Sequence, residues 1–513
     1  MSDLKSDLKS DLLRTKSVEQ SIAETDEPEH RLKKDLEVLD LIIFGVGVII
    51  GAGIFVITGT VAASNAGPAI TISFAIAGLA CALAALCYAE FASTLPVAGS
   101  AYTFSYATFG ELVAWTIGWD LVLEFTIGSA ALATSFSGYY QEVTQGTSFE
   151  VPAHLGSAAN GTVDLPAVVI SLLVMCVLIL GIKFSSWLNQ VIVAIKLMVV
   201  AAVILFGAAY VDPANYTPFI PPSQPAPEGS GGFLDATLIS TLLGSEPAVF
   251  GIGGVIAGAS VVFFAFLGFD IVATTAEEAR NPQRDIPRGI LGSLAIVTVL
   301  YIMVSLVITG MQSYTDIDPT DSAPLATAFD AVGLEFMGRL IAIGACIGLI
   351  VVVMILMLGQ TRVGFAMARD GLLPEGLARV QPTLRTPWLF TLITGVAVAT
   401  ISGLVDLETL AHLVSIGTLF AFVLVSIGVV ILRRRRPDLP RSFRTPAVYV
   451  VATASTLLCS YLMLNLTGGT WLRFLAWMAL GLVVYLLYGR QHSRLARAER
   501  SGEPIAPRSP DLP

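Results

Sequence analysis

The chain has 513 residues, of which 55% are hydrophobic and only 13% charged, and its mean hydropathy is +0.77. A soluble domain carries about 25% charged residues, so the composition excludes an ordinary water-soluble fold. The formal net charge of −10 reveals little by itself, because positive and negative residues are segregated along the chain and mark sidedness.

Residues 1–37 are polar and charged and open with the period-four repeat SDLKSDLKSDLL, whose Leu4, Leu8 and Leu12 fall on one stripe of a short helix. This segment is expected to be cytoplasmic, with the first membrane helix serving as the targeting signal. Apolar runs then recur at the length needed to cross a bilayer as helices. They read as spans 1 and 2 at 38–62 and 68–92, span 3 at 104–138, and spans 4 and 5 at 165–183 and 188–210. A Gly/Pro-rich outer loop, 211–251, leads to spans 6, 7 and 8 at 252–278, 286–311 and 336–369. Spans 9 to 12 are 387–404, 407–432, 446–464 and 470–488, and 489–513 is a cytoplasmic tail. Runs such as Ile341 to Leu358 do not alternate, which excludes barrel strands.

Basic residues test this count independently. Arg31, Lys33, Lys34, Arg280, Arg284, Arg288, Arg362, Arg369, Arg379, Arg385, Arg433–Arg436, Arg441, Arg444, Arg490, Arg494, Arg497 and Arg500 all fall on one side if there are twelve spans. The opposite loops 139–164 and 212–251 contain no Lys or Arg. The positive-inside rule places both termini in the cytoplasm. The four arginines from Arg433 therefore read as an orientation signal, not a nucleic-acid patch. Cys81, Cys87, Cys176, Cys346 and Cys459 lie inside apolar runs without zinc-ligand spacing, and read as small core residues.

Two spans carry glycine in mid-membrane: GVGVIIGAGIF at 45–55 and FFAFLGFD at 263–270. Glycine weakens a helix interior by about 1 kcal/mol relative to alanine, so its placement predicts unwinding. Span 1 opens the first five spans and span 6 the next five, and interrupted helices at matching positions point to a transporter built from inverted repeats. Half-helix N-termini attract a carboxylate, and C-terminal carbonyls attract an ammonium. A zwitterionic amino acid suits both. Close helix packing through small residues is the plainer alternative.

GAGIF at 51–55, GELVAWTIGWDLVLEF at 110–125, EEARNPQRDIPRGI at 277–290 and GQTRVGFAMARDGLLP at 359–374 carry a family resemblance. Over residues 16–490 the sequence resembles the amino acid–polyamine–organocation (APC) superfamily permeases, in their cationic amino acid transporter-like branch. The resemblance implies an all-α integral membrane protein of twelve transmembrane helices. Its five-plus-five inverted repeat, the LeuT-like or APC fold, would occupy 38–210 and 252–432, with two C-terminal helices at 446–488. It implies alternating access around a central amino acid site. Gly51, Ala52 and Gly53 match the break whose N–H groups hold the substrate carboxylate, and the Ile49 and Leu267 carbonyls match acceptors for its ammonium. Phe264 matches an aromatic that closes over the substrate, and Leu356 a position shaping the side-chain pocket.

Charges inside spans are functional candidates. Glu124 lies midway along span 3 with Asp120 one turn earlier, Lys196 lies in span 5, Asp270 in the span 6 break, and Glu90 near the inner end of span 2. In proton-linked relatives a lysine like Lys196 reaches the span 1 break, where sodium-coupled cousins hold a cation. Residues 341–360 contain no Ser, Thr, Asp, Asn or Glu, so a sodium ligand of the hydroxyl type is missing from span 8. The expectation is proton-linked transport, or uniport with Lys196 as a fixed cation. A structural ion pair is the simpler role. Glu124 can exchange protons, meet a cationic substrate side chain, or balance Lys196. Leu356 favours neutral substrates and Glu124 cationic ones, and the reading leans to neutral. Glu278, Arg280, Arg284, Asp285, Arg362, Arg369 and Asp370 form either an inner gate or helix caps and anchors.

The function expected is a secondary active permease for neutral L-amino acids, with cationic ones left open, in the plasma membrane. The expected partners are the amino acid, protons and the lipid bilayer, with no nucleic acid, cofactor or metal. A membrane enzyme is disfavoured because the four histidines form no ligand cluster or triad. A channel would want a continuous polar pore. An amino acid receptor that binds without transport is the alternative.

Overall fold

A computed structural model describes residues 36–95, 100–158, 161–181, 186–226, 232–246, 248–275, 278–381 and 386–501. The leucine repeat near the N-terminus, Arg31, Lys33, Lys34, Arg385 and the last twelve residues (502–513) lie outside the described residues. The architecture is helical, and a small sheet pairs Gln224–Pro225 with Ala248–Val249 in the loop before the second glycine-interrupted segment. Among the described residues, eight helical stretches are long and apolar enough to cross a membrane, and four shorter apolar helices accompany them.

The principal helices are α1 (Val38–Ile49), α2 (Ile70–Thr94), α3 (Ser100–Thr108), α4 (Glu111–Thr144), α5 (Leu165–Ile179) and α6 (Ser186–Gly207). There follow α7 (Gly251–Val262), α8 (Pro282–Met311), α9 (Pro324–Ala331), α10 (Glu335–Arg369), α11 (Trp388–Leu404) and α12 (Leu407–Arg435). The chain continues through α13 (Val448–Leu464), α14 (Gly468–Val484) and the short basic α15 (Arg494–Ser501). Caps set several boundaries: the Asp164, Asp406 and Thr467 side chains accept from the N–H groups of Ala167, Thr409 and Thr470.

The predicted third span, 104–138, is two helices. Gly110 has φ +107°, a conformation open to glycine, and ends α3 before α4 begins. The run of Tyr, Phe and Ala across 101–109 hid this turn in the sequence, because its apolar character continues straight through. The cysteine reading is also corrected at one position. Cys81, Cys87 and Cys459 are buried, but Cys176 is exposed on the outside of α5.

The helices pack in a pattern that places the site. α2 lies along α8, α4 along α10, and α5 along α11. The Gly53–Ile57 stretch of the first interrupted segment touches the 3₁₀ turn Phe263–Phe266 of the second. The first four of these segments thus each meet a later segment of equal rank, and the two breaks touch; α6 packs instead on α10, α8 and α1.

Candidate functional site

The first break is local and complete. α1 ends at Ile49, Ile50 is extended (φ −69°, ψ 99°), and the chain resumes as a π-helix over Gly53–Ile57. The second segment tightens into the 3₁₀ turn Phe263–Phe266, then opens at Leu267 (ψ 134°) and Gly268 (φ +104°). Only glycine is comfortable at Gly268, and a methyl there would lie 2.5 Å from Val48 Cγ1. The breaks approach backbone to backbone: a methyl on Gly53 would lie 2.2 Å from Ala265 Cα. Both readings of the glycines in the sequence therefore apply, because they permit unwinding and also close contact.

An unwound carbonyl inside a membrane needs a partner. Lys196 of α6 supplies two bonds, its Nζ donating to Gly47 O (2.7 Å) and Ile50 O (2.9 Å). Its ammonium sits at the C-terminal, partially negative end of α1. Gly348 of α10 makes room for the lysine stem. A methyl on Gly348 would lie 2.8 and 2.9 Å from Lys196 Cε and Cγ.

Tyr301 of α8 was not singled out from the sequence. Its hydroxyl lies 2.7 Å from Ile49 O and 2.8 Å from Ala265 O, one carbonyl from each break. The signal available was a tyrosine inside an apolar span, since a buried phenol seeks a polar partner. Ile49 O, expected to accept the substrate ammonium, thus already receives Tyr301. Tyr139 of α4 was likewise missed, and donates to Phe55 O at 2.5 Å.

Between the breaks lies a small cavity lined by Val48, Ile49, Gly51, Ala52, Gly53, Leu132, Phe264, Ala265, Leu267, Val352 and Leu356. Every predicted substrate-contact residue except Glu124 is in this lining. Main-chain groups of the two breaks are its polar surface, and its walls are aliphatic or aromatic. Such a cavity suits a small ligand with a charged head and an apolar side chain. Glu124 is outside this lining, one turn of α4 before Gly128, and within electrostatic range of Asp120 and Asp270. All three carboxyl groups are buried. Among the described residues, no group of three or more His, Cys, Asp or Glu is placed to hold a metal ion.

The predicted inner-gate residues separate into several contacts. Arg362 Nη2 lies 3.9 Å from Glu278 Oε1, and Arg280 pairs with Glu37. The backbone reinforces this seam, with Leu36 N donating to Glu278 O (3.0 Å) and Arg280 N to Leu36 O (2.9 Å). Asp285 instead accepts from Asn281 N at the start of α8, which is a capping role, and Asp370 accepts from the Tyr102 hydroxyl (2.7 Å). Arg284 is exposed and Arg369 half-buried.

The sequence pattern of the amino acid permease family matches residues 36–486, a span that contains both breaks and every residue of the cavity. The chain belongs to that family, within the APC superfamily. It is similar to a methylthioribose transporter of Bacillus subtilis (strain 168), 45% identical over 95% of this chain and 99% of that one. It is also similar to the branched-chain amino acid permease BcaP of the same organism, 43% identical over 95% of this chain and 100% of that one. A vacuolar cationic amino acid transporter 4 of Arabidopsis thaliana is 36% identical over 83% of this chain and 68% of its own. This permease family membership makes the chain a membrane-embedded transporter and not an enzyme.

Proposed function

We propose that this permease is a secondary active transporter moving neutral L-amino acids across the plasma membrane by alternating access, linked to protons through Lys196. The observation that carries the reading is the Lys196 ammonium bonded to the Gly47 and Ile50 carbonyls of the first break. It puts a positive charge beside the cavity. A lysine can take up and release a proton, which gives the site a coupling ion without sodium. Aliphatic walls at Leu132, Val352 and Leu356 favour apolar side chains over cationic ones.

The pairing of α2 with α8, α4 with α10 and α5 with α11 supports a five-plus-five repeat over 38–210 and 252–432, with helices at 446–488 added to it. Twelve spans with both termini in the cytoplasm follow from this repeat and from the arginine-rich loops. The breakable Arg362–Glu278 contact then stands at the inner mouth as part of a gate.

The test is uptake into liposomes of labelled Ala, Leu, Arg, Lys and Glu, driven by a pH gradient, by a sodium gradient, or by neither. Saturable uptake of neutral amino acids under the pH gradient alone is expected. Lys196→Met should lower that uptake about tenfold or more. Full pH-driven uptake by this variant would remove the lysine from the coupling, and sodium-driven uptake would refute the ion assignment. Binding without flux in the wild-type protein would make it a receptor.

A further inference from the structure

On α4 the residues Asp120, Glu124, Gly128 and Leu132 follow one another at intervals of four, so they climb one side of the helix. Leu132 is cavity wall, and Asp120 and Glu124 are fully buried carboxyl groups. Among the described residues, no hydrogen bond reaches either oxygen of Asp120 or Glu124. The Thr418 hydroxyl beside Glu124 donates to Val414 O (3.0 Å) instead. Gly128 sits at the boundary between wall and acids. A methyl on it would lie 2.8 Å from Leu267 Cδ2, 3.1 Å from Leu356 Cδ1 and 4.0 Å from Val414 Cγ2. Two leucine tips, one from the second break and one from α10, therefore rest on bare backbone of α4. Both leucines line the cavity, and Glu124 does not.

We infer that Gly128, Leu267 and Leu356 form the floor of the substrate pocket, and that Gly128 sets how long a side chain the permease accepts. The inference deepens the proposed function and rests on the cavity being the substrate site. An amino acid held at the breaks by its charged head points its side chain toward this floor. Apolar side chains that end above the two leucines lose their contact with water and meet aliphatic surface. A lysine or arginine side chain is longer and must part the leucines before its charge can meet Glu124, so it is selected against at the floor. Gly128 holds the floor at its lowest position because nothing stands between the leucine tips and the helix. A methyl added there has no room, and the flexible leucine ends must move toward the cavity.

The experiment compares wild-type protein, Gly128→Ala and the double variant Gly128→Ala/Leu356→Val in liposomes. Uptake and equilibrium binding are measured for Ala, Leu, Met and Lys. Overpacking by one methylene costs about 1–3 kcal/mol, which is roughly tenfold or more. Gly128→Ala should therefore lose about tenfold in uptake and binding of Leu and Met, with Ala changed less than about threefold. The double variant removes one methylene from the floor and should restore the Leu-to-Ala ratio to near the wild-type value. Equal losses for Ala and Leu, no loss at all, or no recovery of the ratio in the double variant would each overturn the floor. If Gly128→Ala fails to fold, the double variant decides alone by whether it folds and carries the wild-type ratio. Wild-type protein that neither binds nor moves any amino acid defeats the proposed function itself, a result distinct from a size-neutral Gly128→Ala.

Discussion

Two ionic contacts near helix ends involve the same two residue types and differ in almost everything else. Glu90 of α2 receives Arg433 Nε and Nη2 of α12 at 2.6 Å each, and Thr445 N at 2.8 Å. Arg433 also donates to Thr445 O (3.0 Å), and Arg441 Nε lies 3.5 Å from Glu90 Oε1. Glu278 and Arg362 approach only to 3.9 Å, and their side chains are 34% and 46% exposed. A planar guanidinium gripping a carboxylate with two bonds is geometrically specific, and a distant exposed pair is not. The first contact fastens the loop after α12 beneath α2. The second is a seam that can part at little cost.

Substitutions can break or sharpen this contrast. Glu90→Ala leaves the Arg433 guanidinium without its counter-charge in a buried setting. It should destabilise the protein by about 3 kcal/mol, the low end for a broken buried pair, because Arg433 keeps 25% exposure. Thermal unfolding in detergent measures this. Tyr301→Phe comes next. It removes the hydroxyl shared by Ile49 O and Ala265 O, and stranding buried carbonyls costs about 1–3 kcal/mol, read from the same melts. Arg362→Ala should cost less than about 1 kcal/mol and alter transport rate more than melting temperature. Should Arg362→Ala destabilise as much as Glu90→Ala, the distinction between fastener and seam disappears.

Much of the centre was legible in the sequence because its residues are anomalies in their surroundings. Glycines interrupt two apolar runs, and Lys196 is a charge in an otherwise apolar span, so each stands out against its neighbours. What the pattern could not supply were partners distant along the chain. Arg433 reads as an orientation signal until it is found holding Glu90, 343 positions away. Tyr301 and Gly348 have ordinary surroundings in sequence, and their roles arise only where α8 meets the first break and α10 meets Lys196. Glu124 shows the opposite limit. Its position midway along the span was legible, but it is not among the residues that line the cavity.

The contact of Gly53 with Ala265 has a mechanical consequence. With only the Ala265 methyl at the contact of the two main chains, there is little soft material to shear. Displacement of the Gly53–Ile57 stretch should carry the turn of the other segment with it, as two rods pinned at their crossing move as one lever. A ligand pressing on either break would therefore be felt at both.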